Sequence, residues 1–398
     1  VMLTLAAIPG LPKFSFLLLA AVVGVLAWRA PKVTADKPDQ SDPAAVATAK
    51  KPASESIEDL LKLDELSLEV GYSLVALVDQ QHGGQLLARV RALRSSLALQ
   101  LGFIVPSVHI TDNARLKARE YVISLRGVEI ARWEMHGDDL LAISSDATPP
   151  PLVGTATREP AFGVAALWMV PGLQNEALSK GYAVVDQTSV LATHLAEVIK
   201  QHASELLTRQ EAKRLLDRLA ESHPKLVEEL VPKLLSLGEV HKVLQQLLRE
   251  QVSIRDLSTI LETMIDTGAV SKHPVLLVEA ARQALGRALV QPLLAEDGKL
   301  RVVTLDVSIE EELGRAFNPA ASSTAAAGLQ PSLVRRLLEG LRRLAGEQVT
   351  VASPVLLCSS PARFHLKRLL EPFVPKLVVL APGEIPSVVS VQSLGTLR

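Results

Sequence analysis

His194, Glu197, His202 and Glu205 form two His-x-x-Glu pairs within the run DQTSVLATHLAEVIKQHASELL. Imidazole and carboxylate three residues apart share one face of a helix, and such sets hold hydrolytic metal ions. The spacing between the pairs argues against a single ion. Eight residues leave the two histidines about 80° apart around the axis and about 12 Å along it. Ser222 and Lys225 match S-x-x-K, yet Ser222 falls where the helix opened by Pro224 wants a cap. The single cysteine, Cys358, sits in the apolar run PVLLCSS with no base beside it; it reads as a small core residue and excludes an intramolecular disulfide. The turn His82–Gly84 lacks the spacing and lysine of a phosphate-binding loop. No G-x-S-x-G, G-x-G-x-x-G or H-E-x-x-H occurs. The sequence thus assigns no catalytic residue, no metal and no cofactor.

What remains is surface. Aromatic residues make up only 3% of the chain, yet REPAFGVAALWM (residues 158–169) places a Phe and a Trp in one run entered by a charged pair and a proline. Pro160 stops Glu159 from continuing a strand ladder and bends the chain. Phe162 then either turns a corner into the core or stays partly exposed beside a carboxylate as an apolar anchor. Trp168 reads as core.

The elements around these residues follow from periodicity. YSLVALVD (residues 72–79) reads as a strand, and Gln85 to Leu101 as a helix whose Leu86, Val90, Leu93, Leu97 and Leu101 step by three and four. VPSVHI is a strand, EYVISLRGVEIARWEM a hairpin turning at Arg126-Gly127, and DDLLAIS a further strand. From Asp186 the chain is helical. Ser222 is expected to cap the helix at Pro224, Ser253 to open a capping box (SIRD), and Pro274 to open the last of these helices. From about 291 strands alternate with helices, one of them capped within SIEE, as in an α/β domain. Lys+Arg 42 against Asp+Glu 43 leaves a net charge of -1, which gives no field favouring nucleic acid.

The first 30 residues are apolar, and Phe14 to Trp28 with its flanks is long enough to span a bilayer. Arg29, Lys32 and Lys37 favour a cytoplasmic location for the residues after them. Proline, alanine and charged residues dominate from 31 onward, a linker composition. Ile57, Leu60 and Leu61 could form a short amphipathic helix docking on a neighbour or on its own domain. The chain is expected to be an α+β multidomain protein: a transmembrane helix (1–30), a linker (31–64), a small α/β subdomain (65–115 plus 172–208), an inserted β-rich subdomain (116–171), an all-helical subdomain (209–290) and a C-terminal α/β subdomain (291–398).

PAFGVAALWM, GYAVVDQTSVLATHLAEVIKQHASELLTRQEAKRLLDRL, HPKLVEELVPKLLSLGEVHKVLQQLLREQVSIRDLSTILE, VEAARQALGRAL, LGFIVPSVHITDN and the ending VVSVQSLG resemble the cytoplasmic part of the FlhA family, the flagellar type III export-gate proteins. The likeness runs from about residue 60 to the C-terminus and includes the preceding membrane span. It implies the last span and cytoplasmic part of a longer bacterial inner-membrane protein. This part would form a nonameric ring, receive export chaperones with their substrates, meet other export-apparatus proteins and pass clients to the membrane channel. Export-gate proteins of virulence-type injectisomes are the alternative. The resemblance assigns chaperone docking to Glu159, Phe162 and Thr193, the ring-forming arrangement to Gly71, and contacts with a neighbouring subunit to Ile57, Leu60 and Leu61. The proton-coupling portion of the family lies outside this sequence.

Overall fold

The computed structural model describes residues 63–79, 84–144, 150–316, 331–345 and 355–397. The expected membrane span, most of the linker, Ile57, Leu60, Leu61 and His82 lie outside the described residues. Among the described residues no helix is long and apolar enough to cross a membrane.

Three four-stranded sheets carry the fold. The first has the order β2-β1-β3-β4: β1 (Leu66–Val70), β2 (Val108–Asp112), β3 (Glu120–Leu125) and β4 (Val128–Glu134). Helix α1 (Leu86–Leu101) crosses between the parallel pair β1 and β2. Strand β3 runs antiparallel to β1 and continues into β4 through the expected hairpin, where Arg126 and Gly127 both take positive φ. Gly102 ends α1 at φ 92 with the backbone of Arg255 against it, and the Ile254 amide donates to the Leu101 carbonyl at 2.9 Å. That contact fastens the first sheet's helix to the helical region.

The second sheet is antiparallel, in the order β6-β7-β5-β8: β5 (Leu140–Ile143), β6 (Thr155–Arg158), β7 (Ala165–Met169) and β8 (Ala183–Val185). Strand pairing therefore differs from the insert expected at 116–171. The 120–134 hairpin bonds to β1 in the first sheet, and β8, beyond 171, closes the second. Trp168 and Leu141 reach from the second sheet into the large shared core, and only Ala142, Met169, Ala177 and Tyr182 form a core of the sheet's own.

Helices come next: α2 (Gln187–Gln201), α3 (Arg209–Ser222), α4 (Leu237–Arg249), α5 (Leu257–Val270) and α6 (Pro274–Ala284). Their apolar stripes (Leu191, Leu195, Val240, Leu244, Leu247, Ile260, Leu261, Leu277) join the core of the first sheet. The third sheet, β11-β10-β9-β12, is wholly parallel: β9 (Leu300–Leu305), β10 (Val355–Leu357), β11 (Val378–Leu380) and β12 (Val391–Leu397). Helices α7 (Val307–Ala316), α8 (Pro331–Ala345) and α9 (Ser360–Leu370) complete the α/β alternation expected there.

Local chemistry corrects several expectations. Residues 72–79 are not a strand. Tyr72–Leu74 is a tight turn and Val75–Val78 a single helical turn, while the strand lies upstream at β1. Ser222 does not cap the helix at Pro224; its hydroxyl donates back to the Leu219 carbonyl at 3.1 Å. Asp256, not Ser253, caps α5, accepting from the Thr259 amide at 3.2 Å. At α7 the Asp306 carboxylate takes the Ser308 amide at 3.0 Å, ahead of the SIEE run. An aspartate accepts a backbone N–H with a full charge at a helix N-terminus, which favours it over a neighbouring serine.

Candidate docking site

The turn between β6 and β7 is built by one carboxylate. Glu159 is 4% exposed, and its oxygens accept the amides of Ala161 at 2.9 Å and Phe162 at 2.7 Å. Its own backbone closes the loop, the amide donating to the Val164 carbonyl at 2.8 Å and the carbonyl accepting from Gly163 at 2.9 Å. Pro160 has no amide to place, so the amides of the next two residues are left for the side chain. Gly163 completes the turn at φ 69. The result lifts Phe162 to the apex, 49% exposed, while Trp168 on β7 is 3% exposed in the core. Glu159 is thus the post under the turn, and its carboxylate is occupied by backbone amides.

Phe162 has a neighbour that no sequence pattern announced. The Lys376 ammonium stands 4.5 Å from the centre of its ring. That distance is a cation–π contact, worth about 0.5–1 kcal/mol where solvent reaches it. Nothing in the linear sequence links positions 162 and 376, since the contact depends on how the second and third sheets approach.

Thr193 is exposed on α2, and the next residue, His194, is buried. The Tyr121 hydroxyl on β3 meets His194 Nδ1 at 2.8 Å. Burial pulls the His194 pKa from 6.5 down to about 4, so the ring is neutral near pH 7 and Nδ1 accepts from the phenol. Burial, with a smaller repulsion from the Glu159 charge, pushes the Tyr121 pKa well up. Glu159, Tyr121 and His194 therefore share one electrostatic neighbourhood beneath the turn and the exposed face of α2.

The His-x-x-Glu pairs are otherwise occupied. Glu197 accepts from Gln201 at 3.2 Å, and His202 pairs with Glu205 at 2.8 Å where α2 ends. Among the described residues no group of three potential metal ligands comes together. Cys358 is buried and its thiol is pushed up to about 12, chiefly by burial.

Gly71 lies at the end of β1. Its φ is ordinary, -68, but a Cβ there would lie 2.0 Å from the Lys117 carbonyl oxygen and 2.7 Å from that of Ala118. The glycine is required by close backbone approach, with its amide donating to Glu120 at 2.8 Å.

A second cluster joins the helical region to the third sheet. Arg363 on α9 is 0% exposed and is held by Glu250, at 2.6 Å, and by Glu279 on α6. Arg282 on α6 grips Glu384 at 2.6 and 3.2 Å and reaches Glu250 at 3.2 Å. Lys367 donates to the carbonyls of Leu377 at 2.7 Å and Pro375 at 3.2 Å, and burial draws its pKa down.

The model of the FHIPEP family matches residues 1–390. The chain belongs to the FHIPEP family. It is 41% identical over 347 residues to the flagellar biosynthesis protein FlhA of Bacillus subtilis, covering 86% of this chain and 51% of that protein. Over 382 residues it is 38% identical to FlhA of Yersinia enterocolitica, covering 96% of this chain and 54% of the relative. This FHIPEP-family chain therefore spans about half the length of the curated relatives it matches. Among solved structures it resembles Chlamydia pneumoniae CdsV from the CdsV and CdsO complex, at 24% identity and a TM-score of 0.76, covering 86% and 100% of the two chains. It also resembles nonameric SctV-C of EPEC, at 20% identity and a TM-score of 0.69, covering 84% and 99%. At those identities the structural likeness establishes the fold.

Proposed function

We propose that this chain is the partner-docking part of a flagellar type III export gate, and that chaperone–client complexes seat on the β6–β7 turn. The observation that carries the reading is Phe162: a large apolar ring held half exposed at the apex of a turn whose geometry is fixed from below by Glu159. A pre-set anchor binds without the entropy loss of ordering itself first. Thr193, on the exposed face of α2, would extend the contact. In this reading the chain acts through surfaces rather than by making or breaking bonds.

In this reading residues 14–28 anchor the protein in the bacterial inner membrane, the remainder lies in the cytoplasm, and nine copies form a ring. The nonameric state of the SctV-C relative in structure supports the ring, and the CdsV complex with CdsO supports binding of a further apparatus protein. Gly71 would serve the ring by fixing how β1 meets the 117–120 loop. The flagellar branch is favoured over the injectisome branch because the FlhA relatives reach 41% identity, against 24% for CdsV. Co-purification tests the reading: a flagellar export chaperone from the same organism should co-elute with this chain, and mass photometry should find a ring of nine. A chain that retains no chaperone, loaded or empty, contradicts it.

A further inference from the structure

Beside the Phe162 turn lies a cleft of about 660 Å³, walled by residues 250–256 beyond α4, by the segment around the short helix Gly286–Val290, and by residues 375–380 leading into β11. That volume is in the range of sites that hold a small ligand or a few side chains. Four cations and two carboxylates line it: Arg255, Arg282, Lys367 and Lys376 against Glu250 and Asp256. Both carboxylates are committed. Glu250 is bound to Arg363 and Arg282, and Asp256 caps α5 through the Thr259 amide and the Ser258 hydroxyl. Arg282 is held by Glu384. Among the described residues, Arg255, Lys367 and Lys376 have no carboxylate within ion-pair distance. Lys367 leans on two carbonyls, and Lys376 rests on the Phe162 ring. Between these charges the wall is apolar, with Ala288, Leu289 and Leu293 facing the stretch that ends in Val378 to Leu380.

We propose that this cleft is a second contact of the docking station and takes an acidic, leucine-rich segment of the same partner protein that seats on Phe162. Carboxylates of that segment pair with Arg255 and Lys376, and its apolar side chains lie between Leu289 and Val378. The inference rests on the docking reading of Phe162. Charge selects the occupant: cations without carboxylate partners in a partly enclosed cleft attract carboxylates and repel a basic segment. A polyanion without apolar groups would leave the leucine wall uncovered. Continuity selects the source. Lys376 both lines the cleft and covers the Phe162 ring, so a body on that ring already stands at the mouth.

The test titrates fluorescein-labelled peptides into the detergent-solubilised full chain, read by fluorescence anisotropy. The probes are GELLDELLG, its uncharged analogue GQLLNQLLG, the basic GKLLKKLLG and the leucine-free GESSDESSG. The acidic leucine peptide should bind at least tenfold tighter than the other three. Arg255→Glu with Lys376→Glu should weaken it tenfold or more, and Ala288→Trp, which fills the cleft from an exposed position, should do the same with no change in charge. Equal binding of all four peptides, or an unchanged affinity in both variants, overturns the proposal. Equal binding of the leucine-free peptide reduces the site to bare electrostatics and also overturns it. Failure of the docking reading would show instead as chaperone co-elution that survives Phe162→Ala, with the peptide results intact.

Discussion

Two of the contacts that join the third sheet to the rest of the protein use charge in opposite ways. At the Arg363 joint, Glu250, Glu279, Arg282 and Glu384 surround a guanidinium with no solvent access, and each of the two guanidiniums is held by two carboxylates. At the Phe162 contact a lone ammonium rests on a half-exposed ring. A buried pair is costly to break from one side, because the surviving charge is left without water or partner. An exposed cation–π contact is worth little, and water replaces it readily. The third sheet is therefore bound firmly to the helices and lightly to the second sheet. The docking site we propose lies at the light contact.

The largest effect should come from the joint. Arg363→Ala takes the guanidinium from Glu279, leaves Glu250 with Arg282 alone, and should cost about 3–5 kcal/mol, read as a drop in the denaturant midpoint. A cost under about 1 kcal/mol, the level of a surface pair, would erase the contrast. Next is acid. His194 is depressed to about 4 in the folded protein against 6.5 for a free imidazole. The unfolded chain thus binds the proton more tightly, and stability falls as pH drops from 6.5 towards 4. The loss amounts to roughly 3 kcal/mol and is complete below that window. Chemical denaturation of the wild type and His194→Gln across pH 4–7 should show the slope shrinking in the variant; parallel curves would remove His194 as its source. Gly71→Ala forces a methyl against two carbonyl oxygens and should cost about 1–3 kcal/mol, which thermal melts can read. The smallest effect is at the light contact, where Lys376→Ala should move stability by less than about 1 kcal/mol.

Much of the scaffold could be read from the residues. The stepping of Leu86, Val90, Leu97 and Leu101 marks α1 because a helix that packs on one side must be apolar every three or four positions. The Arg126-Gly127 turn and the buried Trp168 follow from turn chemistry and apolar patterning, whereas the residues around Pro160 left Phe162 open between the core and an exposed position. YSLVALVD misled because it is apolar and β-branched. Gly71 is wedged against the 117–120 backbone, which ends the strand and starts a turn, and that obstruction lies more than forty residues away. Strand β12 carried no core pattern, being nearly all exposed with its register shifted between Ser393 and Gly395. The role of Glu159 was half legible: its place beside Phe162 shows in the sequence, but the hydrogen bonds to two amides appear only once the chain has turned. Lys376 and the Arg363 joint had no local signal at all, because each is defined by surfaces that meet only in the folded chain.

The central claim is that Phe162 serves a partner and not the fold. It is tested most directly by measuring, on one preparation of Phe162→Ala, both the affinity for a flagellar export chaperone loaded with its client and the thermal midpoint. Chaperone affinity should fall at least tenfold while the melt moves by no more than a degree or two. A melt that collapses in step with affinity, or an affinity that does not change, would contradict the account.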